Sequence, residues 1–139
     1  MNKKFIVYFI FVILVVILIG ATFLSNDKMD NTNKDLSITW EEMSSDEVMK
    51  QIGNEELQFV DLREEELYNE GHVPGAINIP YEDFQQRFTE LRKDKGVILI
   101  CHTGRMGEES ADFLLTEGFT DVANFGGGMA VWDGPLETE

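Results

Sequence analysis

Cys101 is the single cysteine of the chain, and it sits where a thiol can do chemistry. It follows Val97-Ile98-Leu99-Ile100 and precedes His102-Thr103-Gly104-Arg105-Met106-Gly107. A thiolate is the nucleophilic form of cysteine, and it forms where positive potential is close by. The apolar, largely β-branched run before it reads as a buried strand. The polar loop after it opens into a helix expected over residues 108–117, where Ala111, Leu114 and Leu115 fall at helical spacing. The sulfur is therefore expected at the carboxyl end of a strand, the edge at which open α/β sheets bind ligands. Loop N–H groups and the amino end of a helix would supply partial positive charge there. The plainer alternative is a small buried apolar residue, the commonest fate of a free cysteine. The loop favours the reactive thiol.

Stepping outward from the sulfur, strands and helices alternate. A short strand is expected at residues 38–40, then a helix opened by the capping pattern Ser44-Ser45-Asp46-Glu47, with Val48, Met49 and Ile52 as its apolar stripe. Residues 57–60 read as a strand ending in Asp61-Leu62-Arg63, and residues 64–70 as an acidic helix stopped by Gly71. Pro74-Gly75 marks a turn before a short strand at residues 76–79. A helix is expected over residues 81–92, with Tyr81, Phe84, Phe88 and Leu91 on one face. The last strand falls at residues 122–125, before Gly126-Gly127-Gly128-Met129-Ala130-Val131-Trp132. This alternation predicts a three-layer α/β domain with a mostly parallel sheet.

The 139 residues suffice for one domain of moderate size. A net charge of −15 argues against nucleic-acid binding, which needs a basic surface, and repels small anions. One cysteine excludes an intrachain disulfide, and the two histidines, His72 and His102, are too few for an obvious metal site. Residues 5–24 form an apolar, uncharged run long enough to span about 30 Å as a helix, the thickness of a bilayer core. We read residues 1–25 as a membrane anchor, residues 26–35 as a polar flexible linker, and residues 36–139 as the domain. Lys3 and Lys4 before the run favour a cytoplasmic amino terminus and an extracytoplasmic domain. A cleaved signal peptide and a secreted domain are the alternative, although no convincing cleavage pair follows the run.

Several of these segments together resemble the rhodanese family of sulfurtransferases. Asp61-Leu62-Arg63 followed by Gly71-His72-Val73-Pro74-Gly75-Ala76-Ile77-Asn78-Ile79-Pro80 resembles the first signature of that family. Ile100-Cys101 with Gly104 resembles its catalytic strand and loop, and Gly127-Gly128-Met129-Ala130-Val131-Trp132 its carboxyl-terminal signature. The resemblance implies a rhodanese-like fold, with Cys101 catalytic and His102, Thr103, Gly104, Arg105, Met106 and Gly107 as the substrate-binding loop. It implies that Cys101 takes sulfur from thiosulfate, a polysulfide or a persulfide, and that cyanide or another thiol then accepts it. Neither metal nor organic cofactor is implied.

The loop departs from the family pattern. The sixth position, often Arg or Thr, is Met106, and the next, often Ser, is Gly107; His102 stands where an Arg is frequent. Arg105 is the loop's fixed positive charge, and Glu108 and Glu109 oppose an anionic donor. A less charged donor such as a persulfide suits this composition better than thiosulfate. Asp61 and His72 are expected to be structural, Arg63 to pair with a carboxylate of the fold, and Thr103 and Met106 to line the pocket. A persulfide carrier or partner-binding module at the membrane is the second reading. A phosphatase or arsenate reductase would need Arg six residues after the cysteine, and Gly107 stands there.

Overall fold

Strands and helices alternate along residues 38–138, which this computed structural model describes. In chain order they are β1 (Glu41–Met43), α1 (Ser45–Gln51), β2 (Leu57–Asp61), α2 (Glu65–Glu70), β3 (Ile77–Asn78) and α3 (Tyr81–Arg87), which tightens into a 3-10 turn over Phe88–Glu90. Then follow β4 (Gly96–Ile100), α4 (Arg105–Thr116), β5 (Val122–Phe125) and a second 3-10 turn over Gly128–Val131. The strands form one sheet in the order β1-β5-β4-β2-β3, and every neighbouring pair is parallel.

β4 lies at the centre and every one of its residues is buried, which is why it reads as an unbroken apolar run rather than an alternating one. Alternation is still present in where the side chains go. Val97, Leu99 and Cys101 pack on one face with Phe84 of α3 and with Ala111 and Leu114 of α4. Ile98 and Ile100 pack on the other with Val48 of α1 and Tyr68 of α2. Two cores therefore sandwich one sheet, in the three layers the alternation predicts.

Three boundaries differ from the sequence reading. The first strand is not at residues 38–40 but at Glu41–Met43, paired with β5. The Trp40 indole instead donates to Asp112 of α4 at 2.7 Å, so an apolar-looking segment serves helix contact while two glutamates at the sheet edge carry the ladder. The helix expected over 81–92 ends as α-helix at Arg87, and the 3-10 turn carries the chain on. The helix after the cysteine begins at Arg105, not at residue 108, so Arg105, Met106 and Gly107 are its first turn. The capping pattern holds, with Glu47 accepting from both the backbone N–H (2.8 Å) and the hydroxyl (2.6 Å) of Ser44.

Between β2 and β3 lies a buried polar cluster that closes on itself. Arg63 donates through Nη2 to Asp61 Oδ2 at 2.6 Å, and through Nε to Oδ1 at 3.0 Å and Oδ2 at 3.1 Å. Its Nη2 also donates to the Gly71 carbonyl at 2.8 Å. The His72 ring stacks on Tyr68 with centroids 3.7 Å apart, and Nδ1–H donates to the Tyr68 carbonyl at 2.9 Å. Asn78 donates to the Asp61 and Arg63 carbonyls at 3.0 and 2.9 Å. Asp61, Arg63 and His72 thus have the structural roles their surroundings in the sequence suggest.

The expected membrane anchor, linker and first residues of the domain lie outside the described residues. Among the described residues no helix is long and apolar enough to cross a membrane.

Candidate active site

Cys101 leaves β4 at its carboxyl end and is 0% exposed. Its Sγ accepts the Gly104 N–H at 3.0 Å, so the loop folds back to place an amide on the sulfur. That fold-back needs Gly104 at φ +98°, a region L side chains avoid, and a Cβ there would collide with the Gly126 carbonyl. Gly104 also caps α4: its carbonyl accepts the Glu108 N–H at 3.1 Å. The N–H groups in the first turn of any helix lack helical acceptors, and here that turn is Arg105-Met106-Gly107. The sulfur therefore faces the positive end of a helix of twelve residues.

The loop is braced from behind. The Met129 N–H donates to the Cys101 carbonyl at 2.8 Å and the Ala130 N–H to the His102 carbonyl at 2.9 Å. A side chain on Gly128 would strike both carbonyls, so the glycine run permits a backbone-to-backbone seat. The carboxyl-terminal segment thus holds the carbonyls of Cys101 and His102.

The residues read from the sequence as one loop separate into two sets. His102 and Thr103 are exposed at its tip, while Gly104 and Gly107 are buried. Met106 packs against the core and, with Leu62, Pro80, Tyr81 and four carboxylates (Glu64, Glu65, Glu82 and Asp83), lines a cavity of about 270 Å³ beside α4. Its side chain therefore belongs to the neighbouring α3 face, as a consequence of its place in the first helical turn.

Arg105 is 85% exposed and its Nε lies 3.5 Å from Glu109 Oε1, one turn along the helix. Glu109 Oε2 in turn accepts the Tyr81 hydroxyl at 2.5 Å. That hydrogen bond holds the Tyr81 phenol above its usual range, with burial and the Glu109 charge acting in the same direction and Arg105 opposing. The cation of the site is thus shared with a carboxylate that is pinned from its other side. Glu42 lies against Gly126, adding another carboxylate on the β1 side of the loop. The surroundings of the thiol are acidic, and among the described residues no group of three His, Cys, Asp or Glu side chains is arranged to hold a metal ion.

The sequence reading missed Asn124. It is fully buried in β5, and its Nδ2 donates to the Gly104 carbonyl at 3.1 Å. The signal was present: an amide inside the otherwise apolar Val122-Ala123-Asn124-Phe125, in a strand buried on both faces.

Comparison with known proteins follows the same outline. The sequence model of the family described as "Rhodanese-like domain" matches residues 44–134. The putative sulfur carrier protein YrkF of Bacillus subtilis is 37% identical over 84 residues, which are 60% of this chain and 45% of that protein. The chain therefore spans less than half the length of that relative. The thiosulfate sulfurtransferase GlpE of Shewanella oneidensis is 26% identical over 68% of this chain and 93% of its own. Among solved structures, a rhodanese-like domain protein from Staphylococcus aureus superposes with a TM-score of 0.64 at 26% identity, over 71% of this chain and 98% of that one.

Proposed function

The chain belongs to the rhodanese-like domain family, and we propose that it is a sulfurtransferase acting through a persulfide on Cys101. The observation that carries the reading is the Gly104 N–H on Cys101 Sγ at the amino end of α4. The thiol releases its proton to solvent, and the thiolate attacks the outer sulfur of a sulfane donor. The donor's S–S bond breaks and its leaving group departs with the electron pair, as sulfite from thiosulfate or as a thiolate from a persulfide. The Cys101 persulfide left behind gives its outer sulfur to a thiol or cyanide, which regenerates the thiolate. Loop and helix amides stabilise negative charge on either form of the sulfur. Because Cys101 is buried, a donor reaches it where His102 and Thr103 yield at the exposed tip.

The acidic surroundings bear on the donor. Arg105 is held by Glu109, Glu108 stands in the first turn of α4, and Glu42 lies at the sheet edge against Gly126. A persulfide or polysulfide donor fits this charge better than thiosulfate. A carrier that holds sulfur for a protein acceptor is the second reading, supported by the likeness to a relative named as a putative sulfur carrier.

The test is intact mass of the full-length chain after exposure to thiosulfate and, separately, to polysulfide, with Cys101→Ala alongside. Gain of one sulfur atom, reversed by cyanide and absent in the variant, supports transfer. A folded protein whose thiol gains no sulfur from either donor removes the reading.

The uncharged apolar run at residues 5–24 and the two lysines before it support a further part of this reading: a single-pass anchor with the domain outside the cytoplasm. Retention of the full-length chain in carbonate-washed membranes, with the domain open to external protease, is the expected result.

A further inference from the structure

Asn124 has a surplus that packing does not explain. Its amide oxygen is buried with no hydrogen-bond partner among the described residues, which is unfavourable where an apolar side chain would sit without penalty. Its other end, Nδ2, donates to the Gly104 carbonyl. That carbonyl also accepts the Glu108 N–H, and the Gly104 N–H goes to Cys101 Sγ. Both polar groups of Gly104 are thus committed: the two bonds on its carbonyl fix the Gly104–Arg105 peptide, and with it the Cα next to the N–H that reaches the sulfur. Room for the amide comes from Gly107, where a Cβ would collide with Asn124 Oδ1. A glycine in the first turn of a helix is otherwise a poor choice. The two residues fit each other.

We propose that Asn124 is a positioning residue for the Cys101 thiol, anchoring Gly104 through its carbonyl so that the N–H on the other side of its Cα stays on the sulfur. The inference rests on the reading of Cys101 as the nucleophile. It assigns β5 a part in the chemistry rather than in packing alone, and it explains why Gly107 stands in α4.

The experiment is the pH dependence of Cys101 alkylation by iodoacetamide in the full-length chain, as wild type, Asn124→Leu, Asn124→Ala and Gly107→Ala. Asn124→Leu keeps the branched shape but removes both the amide donor and the unpaired oxygen, and Asn124→Ala removes them without adding bulk. Gly107→Ala favours the helix while pushing the amide from the other side, and profiles are compared among the variants that an unfolding midpoint shows to be folded. The midpoint of the alkylation profile is expected to move up by about one pH unit, with the rate below the midpoint falling by up to about tenfold and the alkaline plateau little changed. Profiles that superimpose on wild type in the folded variants overturn the proposal. A wild type that takes up no sulfur would instead remove the reading of the site, and that result is separate because it needs no variant.

Discussion

Two buried polar regions lie at the carboxyl ends of neighbouring strands, and they are built on opposite plans. At the end of β2, Asp61 and Arg63 satisfy each other, Gly71 takes a further guanidinium bond, and Asn78 closes on the backbone. At the end of β4, the Cys101 loop begins a helix whose first-turn N–H groups lack helical acceptors, with Asn124 Oδ1 unpaired beneath them. The first region spends its hydrogen bonds internally and so fixes a turn. The second keeps donors in hand, which is what the proposed build-up of charge on the Cys101 sulfur would use. Conspicuous charged residues therefore mark the scaffold here, and the proposed chemistry draws on backbone amides.

The contrast can be broken from either side. Asp61→Ala leaves the Arg63 guanidinium buried without its carboxylate, and the expected loss is about 3–5 kcal/mol in urea unfolding. Alkylation of Cys101 in the molecules still folded should keep its wild-type rate. Gly104→Ala strikes the other region. A side chain at φ +98° against the Gly126 carbonyl should lower stability by about 1–3 kcal/mol. Unlike Asp61→Ala, it should also slow sulfur uptake by the folded chain about tenfold to a hundredfold, as single-turnover mass measurements would show.

Glu109→Gln sharpens the comparison with the smallest effect. Freeing Arg105 should raise uptake from thiosulfate about two- to fivefold relative to uptake from polysulfide. The same change bears on alkaline stability. The hydrogen bond to Glu109 raises the pKa of the Tyr81 phenol, so the folded chain holds that proton more tightly than the unfolded one. Its stabilisation is complete below the ordinary phenol range and is lost as pH rises through the folded value. Glu109→Gln should therefore flatten the fall in stability on the alkaline side, seen in unfolding midpoints across that range.

Buried strands were legible in the sequence because β2, β4 and β5 are short, apolar and bounded by turn residues. The register of β1 was not, since Glu41 and Glu42 pair at a sheet edge where apolar character is unnecessary, while the nearby Trp40 serves α4. The start of α4 was hidden by Gly107, which reads as loop but is small because Asn124 lies against it. Met106 was assigned to the loop for the same reason and in fact faces the core beside α3. Cys101 and its glycine were readable from local pattern. Asn124 stood out as an amide in an apolar strand, but its partners at Gly104 and Gly107 lie in the start of α4, and a contact distant in sequence leaves no local periodicity to read.

The brace formed by Met129 and Ala130 has a consequence for the order in which the molecule is made. The carbonyls of Cys101 and His102 find these N–H donors only after β5 and its glycine run have been added, and Glu137 pairs with His72 later still. A chain growing from its amino end therefore presents the thiol before it can seal the loop around it. The final assembly of the site is a long-range closure, among the slower steps of folding because distant segments must meet. Nascent or truncated chains that stop short of Gly128 carry the cysteine without its brace.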